Sequence, residues 1–133
     1  MTERHVLLSD EALEFLRERH LATFTSVRPD GRPHVTPVGF TWDAGNGIAR
    51  VITSGTSAKA RNAASGGVVV LCQFEGRRWL ALEGTGRVSA VRADVADAER
   101  RYAERYRVPR ENPARVVIEV HVTRAYGSAE FLA

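Results

Sequence analysis

Thr25-Ser26-Val27-Arg28-Pro29-Asp30-Gly31-Arg32-Pro33-His34-Val35-Thr36-Pro37-Val38 is the stretch on which the fold turns. Its centre, Pro29-Asp30-Gly31, is a turn signal with a mechanism. Proline presets φ, aspartate bonds its own backbone, and glycine takes a left-handed conformation at no steric cost. The flanking residues alternate with the period of two that marks a strand. The stretch therefore reads as a hairpin, with strands over 20–28 and 33–42.

Working outward, Asn46-Gly47 marks a second tight hairpin into a strand over 48–54. Residues 57–63 read as a brief helix capped by Ser57, and 9–19 as another capped by Ser9, with Leu8 and Leu13 as its hydrophobic staple. Val68-Val69-Val70-Leu71-Cys72 is a continuous apolar run, the pattern of a strand buried on both faces. A strand over 78–90 follows. Val91, Val95, Ala98, Tyr102 and Tyr106 then form a helical stripe over 92–107, which Pro109 and Pro113 close off. The last strand, 115–126, alternates Val116, Ile118, Val120 and Val122 against Glu119, His121 and Thr123. The sum is a mainly β, α+β domain with six antiparallel strands and two or three short helices. Six strands in one small domain favour closure into a barrel, which removes sticky edges.

With 133 residues the chain is one domain's worth of material, read as a single unit over 1–133. Hydrophobic residues make up 44% and charged residues 26%, a globular balance that excludes a disordered tail. No run approaches the ~18 apolar residues of a membrane span, and Met1-Thr2-Glu3-Arg4 shows no leader pattern. Cys72 is the one cysteine, which excludes an intrachain disulfide and multi-cysteine metal sites and points to the cytoplasm. The net charge of +3 tilts the chain toward anionic partners. Of 19 basic residues, 18 are arginine and one is Lys59. Either Lys59 is a leftover of codon usage, or its position needs a compact ammonium rather than a planar fork.

The usual phosphate cradles, G-x-x-x-x-G-K-[ST] and G-x-G-x-x-G, are absent, as are H-E-x-x-H and G-x-S-x-G. His5, His20, His34 and His121 are scattered without ligand spacing, and no metal is expected. Cys72 lies inside an apolar strand and reads as a structural thiol. What remains is an anion site: Ser57-Ala58-Lys59-Ala60-Arg61-Asn62 opens a helix directly after strand 48–54, which carries Arg50. An ordinary capped helix with solvated cations fits the same residues. Trp79, after Arg77-Arg78, is either a stacking wall or core. Aromatics are 8% and unclustered, so nucleic-acid binding is not expected.

The hairpin 25–38, together with Arg50-Val51-Ile52-Thr53, the segment 57–62 and Arg78-Trp79-Leu80-Ala81-Leu82-Glu83-Gly84, resembles the pyridoxamine-phosphate-oxidase-like split β-barrels of the FMN-binding type. Leu8-Ser9-Asp10-Glu11-Ala12-Leu13 and Arg101-Tyr102-Ala103-Glu104-Arg105-Tyr106-Arg107 are similar to the deazaflavin branch, which uses coenzyme F-420, and within it to the biliverdin-reducing group. The chain ends Gly127-Ser128-Ala129-Glu130-Phe131-Leu132-Ala133, without the Arg-rich substrate motif of vitamin B6 oxidases. The resemblance implies a homodimer with two cofactor sites at the subunit interface. It implies that Lys59 and Ser57, helped by Arg50, Arg61 and Asn62, hold the cofactor phosphate. Pro37, Val38, Ile52 and Thr53 would line the deazaflavin ring, and Gln73 and Trp79 would complete the pocket, Trp79 from the partner subunit. The implied reaction is hydride transfer from reduced F-420 to biliverdin, whose propionates, like the cofactor's phosphate and glutamyl tail, are anions. FMN on the same barrel, or a non-catalytic flavin- or haem-binding module, is the alternative.

Overall fold

The computed structural model describes residues 7–133; the readings placed on Met1-Thr2-Glu3-Arg4 and His5 lie outside them. The elements in chain order are α1 (Asp10–Arg17), β1 (Ala22–Val27), β2 (Pro33–Val38), β3 (Thr41–Asp43), β4 (Ile48–Ser54), α2 (Ala58–Ala64), β5 (Val68–Glu75), β6 (Arg78–Ser89), α3 (Arg92–Arg105) and β7 (Arg115–Gly127). All ladders are antiparallel, and the strand order is β2-β1-β5-β6-β7-β4-β3. The local signals act as read. Gly31 takes φ 88° in the β1–β2 turn and Gly47 φ 68° in the β3–β4 turn. Ser9 Oγ accepts the Ala12 N–H at 3.1 Å, and Ser57 Oγ accepts the Ala60 N–H at 3.3 Å.

The sheet has seven strands rather than six, because the expected strand 33–42 breaks at Gly39-Phe40. Two side chains at the end of α3 cause the break. Phe40 donates its N–H to Tyr106 Oη at 3.2 Å, and its carbonyl accepts from Arg105 Nη1 at 2.6 Å. Backbone groups taken by side chains cannot join a ladder. The break also closes the fold. β2 and β3 are opposite edges of the sheet, yet only three peptide steps join Val38 to Thr41, a reach of at most ~11 Å. The sheet must curl until its edges meet. No ladder joins β2 to β3 among the described residues, so the barrel is split at this seam.

The barrel interior is filled by alternate residues of each strand: Phe24, Val51, Val69, Leu71, Leu80, Leu82, Ile118 and Val120 are buried. α1 plugs one end through Ala12, Phe15 and Leu16, and Phe15 stacks on Phe131 at 4.6 Å. A shift in register at Glu83/Gly84 bends β6 around the barrel. β5 departs from the double-sided burial expected of it. Val69 and Leu71 are fully buried, but Val68 on the other face is 52% exposed. Its outer face is apolar and partly open in the single chain, with Val68 and Phe74 exposed and Val70 and Cys72 half-buried.

Candidate functional site: a basic cavity at the seam of the barrel

Five of the residues singled out in the sequence converge. Pro37, Val38, Ile52, Thr53 and Lys59 line one cavity of about 320 Å³. β2 brings the first two to the seam, the end of β4 brings the next two, and α2 brings Lys59. Burial pushes the Lys59 ammonium below its ordinary value of 10.5. No acidic group lies within 4.0 Å of it among the described residues. Ser57 supports the site indirectly. Its hydroxyl caps α2 and accepts a bond from Thr53 Oγ1 at 3.1 Å, tying β4 to the helix. With seven residues, α2 adds little dipole, so the positive character of the cavity comes from side-chain charge rather than from helix geometry.

The remaining wall was not foreseen. Tyr102 of α3, and Arg107, Arg110, Asn112 and Arg115 beyond it, complete the lining. Asn112 Nδ2 donates to Ser54 Oγ at 3.0 Å, which pins this loop to β4. Arg115 is paired with Glu99 at 2.7 Å, whereas Arg107 and Arg110 have no acidic partner among the described residues. Among the described residues, no acidic side chain lines the cavity. The basic run Arg105-Tyr106-Arg107-Val108-Pro109-Arg110 was the available signal. Without the fold, nothing placed it opposite Lys59.

Other expected residues lie elsewhere. Arg61 and Asn62 face the opposite side of α2, where they help to line a larger cavity of about 780 Å³. Arg61 Nη1 donates to the Thr56 carbonyl at 2.9 Å, and Asn62 Nδ2 to Ser26 Oγ at 3.1 Å. Arg50 does not reach the basic cavity, because Asp43 holds its guanidinium at 2.9 Å beside Asp97 and Arg101. Burial raises the Asp43 carboxyl, but bonds from Asn46 and Arg50 and the Arg101 charge outweigh it and hold the group below its ordinary value. Gln73 is buried in the core, donating to the Phe15 carbonyl at 2.8 Å and accepting from Arg105 Nη2 at 2.6 Å. Trp79 is neither core nor part of this cavity: it is 41% exposed and packs edge-on against Tyr126 at 6.1 Å. Glu18, His20 and Glu75 gather their ligand atoms within 4.8 Å, but the Arg78 guanidinium already supplies the cation there.

The lining sets a short apolar wall, Pro37, Val38 and Ile52, beside three cations, Lys59, Arg107 and Arg110. Residues 8–129 match the family described as pyridoxamine 5′-phosphate oxidase. The chain is 58% identical over 125 residues to a coenzyme F-420-dependent biliverdin reductase of Mycobacterium tuberculosis (strain CDC 1551 / Oshkosh), covering 94% of this chain and 91% of that protein. A conserved hypothetical protein of Mycobacterium tuberculosis has the same fold, with a TM-score of 0.76 at 19% identity over 96% of this chain and 89% of that one. So does an F-420 reductase, with a TM-score of 0.69 at 24% identity over 85% of this chain and 94% of that one. The split barrel, the basic cavity at its seam and the match over residues 8–129 together show that this chain belongs to the pyridoxamine 5′-phosphate oxidase family.

Proposed function

We propose that this chain is an F-420-dependent oxidoreductase that reduces biliverdin to bilirubin. The observation that carries the reading is the 58% identity, over nearly the whole chain, to a relative with that activity. The residues at the seam fit the cofactor. Lys59, Arg107 and Arg110 offer cations without acidic partners among the described residues, and Pro37, Val38 and Ile52 offer an apolar wall. When bound, the reduced deazaflavin supplies a hydride, which a proton taken up at a substrate nitrogen balances. This chain's residues position and match charge. Lys59 holds a phosphate as a point charge. Tyr102 and the β2 end of the wall exclude water from the ring face. Arg107 and Arg110, exposed at the rim, are free to meet the carboxylates of an anionic substrate.

A homodimer belongs to the same reading. Val27, Val35, Val68, Phe74 and Trp79, all more than 40% exposed, share the outer face of β2-β1-β5-β6. Pro37 lies on that face and also lines the cavity. A second copy seated there would cover the apolar patch and border the cofactor site. The test of function is direct: mix purified protein with biliverdin and reduced F-420, reduced FMN or NADPH, and follow bilirubin formation. Turnover is expected with reduced F-420 alone. Equal turnover with reduced FMN would transfer the assignment to flavin chemistry.

A further inference from the structure

A third cavity, of about 350 Å³, opens between α1, β3 and α3. It shares no lining residue with the basic cavity at the seam, because α3 stands between the two: Tyr102 lines that one, and Arg101 and Arg105 line this one. Its volume is at the low end of what small-molecule sites use.

The fold leaves two groups on its wall unfinished. Trp42 lines the cavity, and its Nε1 is buried without a hydrogen-bond partner among the described residues. A buried donor without an acceptor is rare and costly. The second group is the half-buried Arg105 guanidinium. It donates only to uncharged acceptors: the carbonyls of Glu18 and Phe40 and the side-chain oxygen of Gln73. The Glu18 carboxylate pairs instead with His20 and Arg78. Three of the five guanidinium N–H groups are thereby used, and one on each terminal nitrogen is unclaimed. Burial, the largest influence on it, pulls the group below its ordinary value of 12.5.

The surrounding charges set how much anion the cavity takes. Arg17 is paired with Glu14 at 3.1 Å, and Arg101 with Asp97 at 2.9 Å. Glu104, the one acid of the lining, is exposed, and water screens it. Arg105 is therefore the lining cation without an acidic partner among the described residues, and a single negative charge balances it. Leu16 and the indole of Trp42 add apolar surface beside it.

We propose that this cavity binds a small monocarboxylate with an apolar body, of the aryl carboxylate kind. The carboxylate accepts from the unclaimed N–H groups of Arg105 and from Trp42 Nε1, whose indole turns toward the cavity it lines. The apolar body packs on Leu16 and the indole. The site is independent of the F-420 reading above.

The probes are benzoate, its uncharged isostere benzamide, and sulfate. The readout is the pair of indole N–H signals in proton–nitrogen correlation spectra of labelled protein. Trp79→Phe removes one of the two and so assigns the other to Trp42, whether or not Trp42→Phe folds. Benzoate should move the Trp42 signal downfield and saturably, and benzamide should not. By calorimetry, Trp42→Phe should weaken benzoate binding about tenfold, the low end for a hydrogen bond to a charged group. Lys59→Ala should bind benzoate as wild type does. A Trp42 signal that benzoate does not move overturns the proposal, as does full benzoate affinity in a folded Trp42→Phe protein. Benzamide as effective as benzoate would reduce the cavity to an apolar cleft, and sulfate that displaces benzoate at equal concentration would reduce it to a general anion site; either result overturns the carboxylate assignment. Loss of benzoate binding in Lys59→Ala would put the probe at the seam and overturn the proposal as well.

Discussion

At Lys59 a residue type used once meets a position with a distinct chemical demand. The ammonium is half-buried and, among the described residues, has no counter-ion and faces a cavity without acids. Lys59→Ala should weaken F-420 binding by about 10- to 150-fold, the range for hydrogen bonds to charged groups, while leaving the melting temperature of the free protein nearly unchanged. Lys59→Arg should keep part of the affinity, because a planar fork meets a phosphate in a different geometry. The pH dependence has a definite sign. Burial lowers the pKa of Lys59 in the free protein below 10.5, and a bound phosphate raises it again. Affinity should be flat below the free-protein value and fall with rising pH above it, with a proton taken up on binding. Without ligand, the unfolded chain holds that proton more tightly, so stability rises with pH between the folded value and 10.5 and is unaffected below that window. Calorimetry in buffers of different ionisation enthalpy reads the proton directly, and no uptake above the free-protein value would place the phosphate elsewhere.

At the scale of elements, α3 fastens both sides of the site. Near its middle, Asp97 and Arg101 meet Asp43 and Arg50 of the β3–β4 hairpin. Asp43→Asn should cost about 3 kcal/mol at neutral pH, since it leaves Arg50 largely buried beside a neutral amide. Asp43 has a lowered folded pKa, so its contribution is present above 3.8 and is lost as pH falls through the folded value. The variant should therefore show a flatter acid limb in a pH series of chemical denaturations. At the end of α3, Arg105 bonds the carbonyls of Glu18 and Phe40 and the amide of Gln73. Arg105→Ala leaves the part-buried Glu18 carbonyl and Gln73 amide oxygen short of a donor, at about 1–3 kcal/mol each, while Tyr106 Oη still reaches the Phe40 carbonyl at 3.2 Å. It should lower the melting temperature and weaken F-420 binding, because the seam residues Pro37 to Gly39 lose their anchor. Unchanged binding in a folded Arg105→Ala protein would show that the crossover does not shape the cavity. These elements also mark where the sequence was legible. Pro29-Asp30-Gly31, Asn46-Gly47, Ser9 and Ser57 act through neighbours within a few positions, and all were readable. The break at Phe40 depends on Tyr106, 66 positions away, and no local pattern announces it. Arg50 was legible as a cation but not as Asp43's partner, since Asp43 reaches it across a ladder. Gln73 looked like a pocket residue for the same reason: its partners, Phe15 and Arg105, come from two distant helices.

At the scale of the whole molecule, the two faces of the curled sheet differ in what they leave unfinished. The inner face is closed by the core and by α1. The outer face of β2-β1-β5-β6 carries Val35, Val27, Val68, Phe74 and Trp79, one or two on each of four strands, and a patch of that kind marks an interaction surface in a stable protein. The apolar run in β5 misled the sequence reading in an informative way: the pattern of a strand buried on both faces is what a strand needs if its second face is covered by another copy. Light scattering of the wild type should therefore give a species of twice 14.7 kDa at micromolar concentration. Val35→Asp combined with Phe74→Asp puts a charge on each of two neighbouring parts of the patch without touching the interior, since both side chains are more than half exposed. The double variant should run as a 14.7 kDa monomer and melt with wild-type secondary structure. Its F-420 affinity should also fall, although neither residue lines the basic cavity, because Pro37 belongs to the face and to the cavity at once. A wild-type monomer would sink the dimer, and a monomeric variant that binds F-420 as tightly as wild type would show that each subunit builds its site alone.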